Sequence, residues 1–168
     1  MAFPDRYLEA AKTAFGDSNV PIETVARRAE TLFDRPVIVW EGDAQTFAFS
    51  FVSASAAALL GHPGARWTTE PSFWADVVVH PEDRDDAVAY CALATGKGLD
   101  HAFVYRARTA DGRVLVLADY VQVVRGKKGV AERLRGIMID VTDEIEAEAG
   151  QAWRAPAKST IEDAPPLT

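Results

Sequence analysis

The chain has 168 residues, 48% of them hydrophobic and 26% charged, with a formal net charge of −7. This length and composition are typical of one soluble globular domain with short extensions. The negative charge argues against nucleic acid binding as the default function, because phosphate backbones are bound by basic surfaces. The single cysteine, Cys91, excludes an intramolecular disulfide and a cysteine-rich zinc site.

The chain divides into three segments by pattern and composition. We predict an N-terminal helical cap over residues 1–34, a globular domain over residues 35–149, and an acidic, Pro-rich tail over residues 150–168 that is disordered. No segment has the pattern of a signal peptide, and no apolar run approaches the roughly 20 residues needed to span a bilayer. We therefore expect a cytoplasmic protein without direct membrane insertion.

Two amphipathic helices are predicted in the cap. The first covers residues 4–15, and the second begins near Pro21, a residue favoured in a first helical turn. Their apolar stripes must pack either against the sheet of this domain or against a second copy of the chain. We favour a homodimer, with the cap residues Tyr7, Leu8, Phe15, Val25 and Leu32 in the contact.

Five strands are predicted in two groups. The first group covers residues 37–40 and 47–52, where Phe47, Phe49 and Phe51 share one face at period two. The second group covers residues 102–109, 113–124 and 133–141, with Asp111-Gly112 as a tight turn.

Short helices are predicted between the two groups of strands. One covers residues 54–60 with Ser53 as its N-cap, and another covers residues 81–95. This order of elements predicts an α+β fold, in which an antiparallel five-stranded sheet carries helices gathered on one face in addition to the N-terminal cap.

Five short motifs occur in a fixed order along the globular domain. They are Leu59-Leu60-Gly61, His80-Pro81-Glu82-Asp83-Arg84, Tyr105-Arg106, Asp111-Gly112 and Asp140-Val141-Thr142. In this order and spacing they resemble the PAS domain family over roughly residues 37–145. The resemblance implies a sheet with strand order 2-1-5-4-3. It also implies a role in sensing small molecules, redox state or light, or in dimerisation and docking, often beside histidine kinases.

The last motif lies where a signal would leave the domain. Asp140 or Thr142 can cap a following helix, whose first turn is acidic. In similar proteins this helix continues as a coiled coil into an effector, whereas here Gly150 follows residues 144–149. We therefore expect that Asp140 and Thr142 pass the signal to another chain. The alternative that this sequence is a fragment of a longer kinase stays open.

The resemblance raises the question of a flavin or haem cofactor. The flavin-binding branch carries its reactive cysteine in an N-C-R-F-L-Q-like segment, which is absent here, and Cys91 falls in a predicted helix as a small buried residue. Haem-binding relatives carry an axial histidine on the helix before the third strand. That helix has no histidine here, so we expect neither His80 nor His101 to bind haem, and we expect no flavin or metal site.

Aromatic residues are plentiful in the predicted domain. They form either the core of a small sheet or the wall of an apolar ligand pocket, and we favour the core. A pocket, if formed, would be lined by Phe49, Phe51, Trp74, Val88, Cys91, Phe103, Tyr105 and Met138.

A Gly-rich connection near the C-terminus is basic. Its cations are Arg125, Lys127, Lys128, Arg133 and Arg135. They form either a recognition loop for an acidic partner or simply an exposed hairpin end, and we favour the hairpin end.

No catalytic constellation is visible. The sequence contains no nucleophile elbow, phosphate loop or HExxH helix, and we expect no enzyme. Our main hypothesis is a stand-alone bacterial PAS signalling module that homodimerises and regulates a partner such as a sensor histidine kinase in a two-component phosphorelay. The alternative is a PAS sensor that binds a small ligand, haem or flavin.

Overall fold

A five-stranded antiparallel sheet organises the chain in a computed structural model, which describes residues 5–149. The strands are β1 (Val37–Asp43), β2 (Phe49–Val52), β3 (His101–Arg108), β4 (Val114–Arg125) and β5 (Ala131–Asp140). Their order across the sheet is β2-β1-β5-β4-β3, which confirms the predicted order. The predicted disordered tail, residues 150–168, lies outside the described residues.

Helices precede, interrupt and follow the strands. After a 3₁₀ turn (Asp5–Tyr7) come α1 (Leu8–Phe15), α2 (Ile22–Leu32), α3 (Ser55–Leu60), α4 (Gly64–Thr69), a π-helical turn (Trp74–Val78), α5 (Arg84–Gly96) and α6 (Thr142–Ala149). The predicted helix at residues 81–95 starts later, because residues 80–83 form a separate turn in which Asp83 N–H donates to the His80 carbonyl at 2.9 Å. Over residues 5–149, no helix is both long enough and apolar enough to cross a membrane.

Both faces of the sheet are buried. In β4, residues 116–124 are buried without interruption, and neighbours along a strand point to opposite faces. Helices α3, α4 and α5 cover one face, which we call the inner face, and α1 and α2 cover the other, which we call the cap face. Two separate apolar clusters therefore stabilise the domain, one on each side of a single sheet.

The cap helices pack on the sheet of their own chain. Tyr7, Phe15 and Val25 are 8%, 2% and 0% exposed and belong to the cap-face cluster. Leu8 is half-buried against the same cluster, and only Leu32 is exposed, at 39%. The prediction that these residues form a dimer contact is wrong for the three buried ones, because the sheet already covers them. Homodimerisation by another surface stays a prediction.

Arg135 connects the cap to the sheet by hydrogen bonds. It was grouped with the cations of an exposed hairpin end, but it faces the cap from within β5 and is fully buried. Its guanidinium donates to Gln122 Oε1 at 2.9 Å, to the Phe15 and Asp17 carbonyls at 2.9 and 3.3 Å, and to the Val20 carbonyl. Burial lowers the pKa of Arg135. The side chain thus supplies donors to carbonyls at the C-terminal end of α1, where helices leave such groups unpaired.

A β-bulge separates phenylalanines that were predicted to share a face. The register of β1 and β2 shifts by one residue, so Ser50 is an extra residue in β2. Phe49 consequently packs on the inner face, whereas Phe51 packs on the cap face. Phe47 lies outside β2 with φ of +61° and is exposed. The predicted common face is therefore wrong, because period two holds only in an unbulged strand.

Ser53 stabilises the sheet instead of capping a helix. Its hydroxyl accepts the Val39 backbone N–H of β1 at 2.9 Å and shares a hydrogen bond with Ser55. Helix α3 starts at Ser55 without a side-chain cap. The predicted N-cap role is wrong, because the Ser53 hydroxyl accepts the N–H of Val39 in a strand and not an N–H of the helix.

Three of the five motifs have structural roles here. Asp83 is 1% exposed and accepts hydrogen bonds from the Arg106 backbone N–H at 2.9 Å and from its guanidinium at 2.7 Å. His80 lies in the preceding turn, where its Nδ1 accepts the Glu82 N–H at 3.2 Å. Gly112 forms the β3–β4 turn with φ of +89°, in the left-handed region.

The Trp40 side chain lies across the neighbouring strand β5. Trp40 pairs with Gly136 in the sheet, and a Cβ atom at position 136 would lie 2.0 Å from the indole. Because glycine leaves this space free, the indole extends over β5 toward β4. Its Nε1–H donates to Asp119 Oδ1 at 3.1 Å.

We predict that Gly136→Ala destabilises the protein, because the added methyl group clashes with the Trp40 indole. The expected loss is about 1–3 kcal/mol in the free energy of unfolding. Gly96→Ala is the matched control, since a Cβ at this helical position meets no atom within 4 Å. The control is expected to be neutral or to stabilise by up to about 1 kcal/mol. Urea unfolding measures both, and equal effects would contradict the packing argument.

We also predict that Arg135→Met destabilises the cap, because it leaves buried carbonyls unpaired. The expected cost is roughly 1.5–3 kcal/mol, and amide exchange in α1 and α2 should accelerate. Arg133→Met is the control, because the Arg133 side chain is 43% exposed and pairs with Glu41 at the surface. This change should cost less than about 1 kcal/mol. The proposed role of Arg135 is wrong if the two variants unfold at the same urea concentration.

Candidate functional site

A cavity of about 550 Å³ lies between the inner face of the sheet, α5 and residues 67–75. This volume is in the range of pockets that hold small organic molecules. Its aromatic walls are Trp40, Phe47, Phe49, Trp67, Phe73, Trp74 and Phe103. Asp119, on β4, contributes a carboxyl group to the same wall.

Asp119 is a buried acid held by hydrogen bonds. It is 1% exposed and accepts the Trp40 Nε1–H at 3.1 Å and the Tyr105 O–H at 3.0 Å. The Tyr105 hydroxyl in turn accepts the Trp74 Nε1–H at 3.0 Å. Burial raises the pKa of Asp119 to about 7, although both hydrogen bonds oppose this. The carboxyl group can therefore act as an acceptor or as a donor near neutral pH.

Cys91 lies in the cavity wall on α5. Burial raises the pKa of its thiol to about 12, with a further contribution from Asp119. The thiol is therefore neutral at physiological pH, and thiolate chemistry is disfavoured.

The three histidines of the chain lie outside the cavity wall. The His62 ring contacts the Arg108 carbonyl at 3.2 Å, and His80 lies in the turn before α5. His101 is buried at the start of β3, where burial lowers its pKa to about 4. Within residues 5–149, no cluster of three or more His, Cys, Asp or Glu side chains is placed to hold a metal ion.

The structure brings five of the eight candidate pocket residues to the cavity. These are Phe49, Trp74, Val88, Cys91 and Phe103. Tyr105 and Met138 are fully buried in the inner-face core, where Tyr105 reaches the wall through its bond to Asp119. Phe51 does not belong to the pocket, because the bulge turns it to the cap face.

Asp119 was missed by the sequence reasoning. The sequence does mark this position, because Asp119 is the one charged residue among the apolar and aromatic residues 114–121 of β4. An acid on an inward position of a buried strand requires hydrogen-bond partners or a neutral form. Those partners, Trp40 and Tyr105, come from two other strands.

The rim of the cavity contains two residues with unfavourable backbone conformations. Phe47 has φ of +61° and Ser72 has φ of +57°, and both line the cavity. Non-glycine residues rarely adopt this region, and such strain clusters at ligand sites. The two rim segments, residues 46–48 and 70–73, come from different parts of the chain.

The Asp140-Val141-Thr142 motif forms a junction between the sheet and α6. Asp140 Oδ1 accepts the Thr142 backbone N–H at 3.0 Å and its hydroxyl at 2.6 Å. The Thr142 Oγ1 accepts the Val116 N–H of β4 at 2.8 Å. Asp140 and Thr142 therefore fix the start of α6 to the sheet, which is a capping role. Their role in signal output stays a prediction.

Glu144 joins α6 to the cap. Its carboxylate accepts the Tyr7 O–H at 2.9 Å and forms an ion pair with Arg35 at 2.6 Å. Arg6 lies 3.9 Å from the same carboxylate. Although burial opposes it, the hydrogen bonds from Arg35 and Tyr7 lower the pKa of Glu144. The C-terminal helix is thus held by residues that precede the first strand.

Comparisons with known proteins agree with this geometry. The family model described as the PAS fold matches residues 49–138. The N-terminal domain of a diguanylate cyclase with a PAS/PAC sensor from Marinobacter aquaeolei is 37% identical, with a TM-score of 0.61 over 65% of this chain and 98% of that chain. A search of curated proteins found no match.

More distant solved structures share the fold. A sensory box histidine kinase/response regulator from Burkholderia thailandensis is 22% identical, with a TM-score of 0.54 over 68% of this chain and 83% of that chain. A light-oxygen-voltage domain described with a flavin analogue is 15% identical, with a TM-score of 0.58 over 71% of this chain and 88% of that chain. At these identities the likeness shows the fold alone.

We predict a pH dependence of stability that comes from Asp119. Because its folded pKa of about 7 lies above the unfolded value of about 3.9, the folded state keeps a proton that the unfolded state has lost. The contribution of Asp119 to the unfolding free energy should fall as pH rises from about 4 to about 7, by at most roughly 1.4 kcal/mol per pH unit. His101 contributes a rise over much of the same range, because burial lowers its folded pKa to about 4.

Asp119→Asn should remove the contribution of Asp119, because the amide does not titrate, and its stability should therefore rise with pH relative to that of wild type. Asp43→Asn is the control, since Asp43 is exposed and backbone N–H donors lower its pKa. Urea unfolding across this pH range measures the slope in all three proteins. The same slope in wild type and Asp119→Asn would contradict the assignment.

Proposed function

Because this chain belongs to the PAS domain family, we propose that it is a sensory module whose input is a small, largely apolar organic molecule bound beside Asp119. One observation carries the proposal: a cavity of about 550 Å³ with aromatic walls contains a single buried acid. Apolar pockets with a few placed polar groups are the usual form of small-molecule sites.

The cavity wall indicates the chemistry of the ligand. Aromatic side chains on several sides favour a flat, unsaturated ligand through stacked and edge-to-face contacts. An ionised carboxylate offers about four acceptor sites, and Trp40 and Tyr105 occupy two at Asp119. The remaining capacity suits one hydroxyl or amine donor on the ligand. We therefore propose an aromatic compound with a single hydrogen-bond donor.

The residues do not fit haem or a reactive flavin. No histidine is in the cavity wall, and the Cys91 thiol is held neutral by burial. The sequence segment of the flavin-binding branch is also absent. These observations support a ligand without a metal or a covalent thiol bond, and the proposal needs no catalytic residue.

We propose that the output is a contact with another signalling protein, such as a sensor histidine kinase. Support comes from the similar domains, which belong to a diguanylate cyclase with a PAS/PAC sensor and to a sensory box histidine kinase/response regulator. The junction at Asp140 and Thr142 connects the central strand β5 to α6, so a change in the cavity has a short route to this helix.

We predict that the neutral dye N-phenyl-1-naphthylamine enters the cavity and becomes fluorescent. Val88→Trp should weaken its binding at least about tenfold, because a larger side chain at this wall position fills the cavity. Val114→Trp is the matched control, since Val114 is exposed and lies outside the cavity wall. Fluorescence titration measures both variants. Absent dye uptake, or equal weakening in the control, would contradict the cavity assignment.

The preference of the cavity for a ligand with a hydrogen-bond donor can be measured separately. Competition by 2-naphthol should exceed competition by naphthalene by about tenfold in wild type, because only the naphthol can donate to Asp119. Asp119→Asn should reduce this preference. Asp119→Leu should abolish the preference, because leucine has no acceptor, and an unchanged preference in that variant would show that Asp119 does not contact the ligand.

A further inference from the structure

A second depression, a groove of about 420 Å³, lies at one end of the sheet. Three segments form it: the turn between β1 and β2, the C-terminal end of α5, and the hairpin between β4 and β5. Ala131, the first residue of β5, lines the groove, whereas α6 follows the last residue of β5. The groove and the α6 junction are therefore at opposite ends of the central strand.

Exposed apolar side chains line this groove or neighbour its lining residues in the chain. Within the described residues, six large hydrophobic side chains are exposed: Leu32, Phe47, Leu93, Leu99, Val114 and Val130. Phe47 and Val130 line the groove, and Leu93 and Leu99 flank residues 95–98, which also line it. Clustered exposed apolar residues mark interaction surfaces more reliably than scattered ones.

The same end of the molecule is basic although the whole chain has a net charge of −7. Lys97 and Arg125 line the groove, and Lys127 and Lys128 lie in the adjoining hairpin turn. Among the carboxylates described, none forms an ion pair with these three lysines.

Acids do not cancel this positive charge. Two exposed acids, Asp43 and Glu132, lie in the same segments, so the four cations outnumber them. Asp43 is already engaged by the backbone N–H groups of Gln45 and Thr46.

We propose that this groove is the docking site for an acidic segment of a partner protein, with an apolar side chain of that segment seated between Phe47 and Val130. The cations select the sign of the partner's charge, and the exposed apolar rim provides the anchor position. Residues 150–168 of this chain do not fit the description. The acids that make the C-terminal stretch acidic lie mostly in α6, and residues 150–168 themselves carry two cations and two acids.

The groove also shares residues with the cavity. Phe47 and Ala92 line both, so a ligand that displaces Phe47 changes the docking surface directly. This link rests on the proposed ligand site, whereas docking itself does not. The sheet faces offer no comparable surface within residues 5–149, because helices cover both.

The test uses the full chain and a fluorescein-labelled peptide in which Glu and Gly residues surround one Phe. We expect fluorescence anisotropy to show binding that weakens as salt increases. The double substitution Lys127→Glu/Lys128→Glu should weaken binding by about tenfold or more, because it replaces attraction by repulsion. Val130→Ser should weaken binding as well, because it removes the apolar contact.

Arg113→Glu is the matched control, since Arg113 is an exposed cation in the β3–β4 turn, away from the groove. It should bind the peptide as wild type does. The proposal is overturned if wild type does not bind, if Arg113→Glu loses as much affinity, or if replacing the peptide Phe by Ser changes nothing. It is also overturned if an oligonucleotide binds the same lysines more tightly than the peptide does. The same holds if the substitutions weaken peptide binding only because they abolish self-association of this protein.

Dye uptake by the same variants separates this proposal from the ligand site. Lys127→Glu/Lys128→Glu should take up N-phenyl-1-naphthylamine as wild type does, because neither lysine lines the cavity. Normal dye uptake with no peptide binding in wild type overturns only the docking groove, whereas peptide binding without dye uptake overturns only the cavity.

Discussion

The burial of both faces of the central strands is the constraint on which the rest of the structure depends. Because neighbouring residues of β4 alternate between two apolar faces, a helical layer on one side would leave the other in water. The cap helices satisfy this requirement within the chain, and Arg135 binds the end of α1 to β5. This arrangement removes the sheet as a surface for partners. The surfaces that stay exposed over residues 5–149 include the cavity rim, the basic groove and α6.

The inner face combines packing with a buried charge. Gly136 lets the Trp40 indole cross β5, and the indole then donates to Asp119. Burial opposes ionisation of this acid more strongly than its two hydrogen bonds favour it, which places the pKa near neutral pH. The proposed recognition of a donor group on a ligand rests on this acid and on its place in the wall of an aromatic cavity.

The two surface features on which the proposals rest lie at opposite ends of β5. At one end, Glu144 of α6 is held by Tyr7 and Arg35, so the cap and the C-terminal helix form one connected unit. At the other end, Phe47 belongs both to the cavity and to the basic groove. A sensor needs a ligand-dependent element at its surface, and Phe47, whose φ of +61° is unfavourable for a non-glycine residue, lines both sites.

The sequence by itself determined the strands, their turns and the family, because period-two patterns, Asp111-Gly112 and the ordered motifs are local signals. Among the seven aromatic side chains of the cavity wall, it named three as candidate pocket residues, Phe49, Trp74 and Phe103. Only the tertiary structure decided that Phe51 faces the cap, that Tyr7 and Val25 pack on their own sheet, and that Asp119 titrates near neutral pH. These properties depend on a bulge and on contacts between residues far apart in the chain, such as Trp40 with Asp119. Local periodicity carries no information about such contacts, since burial and pKa are set by whichever groups the fold brings together.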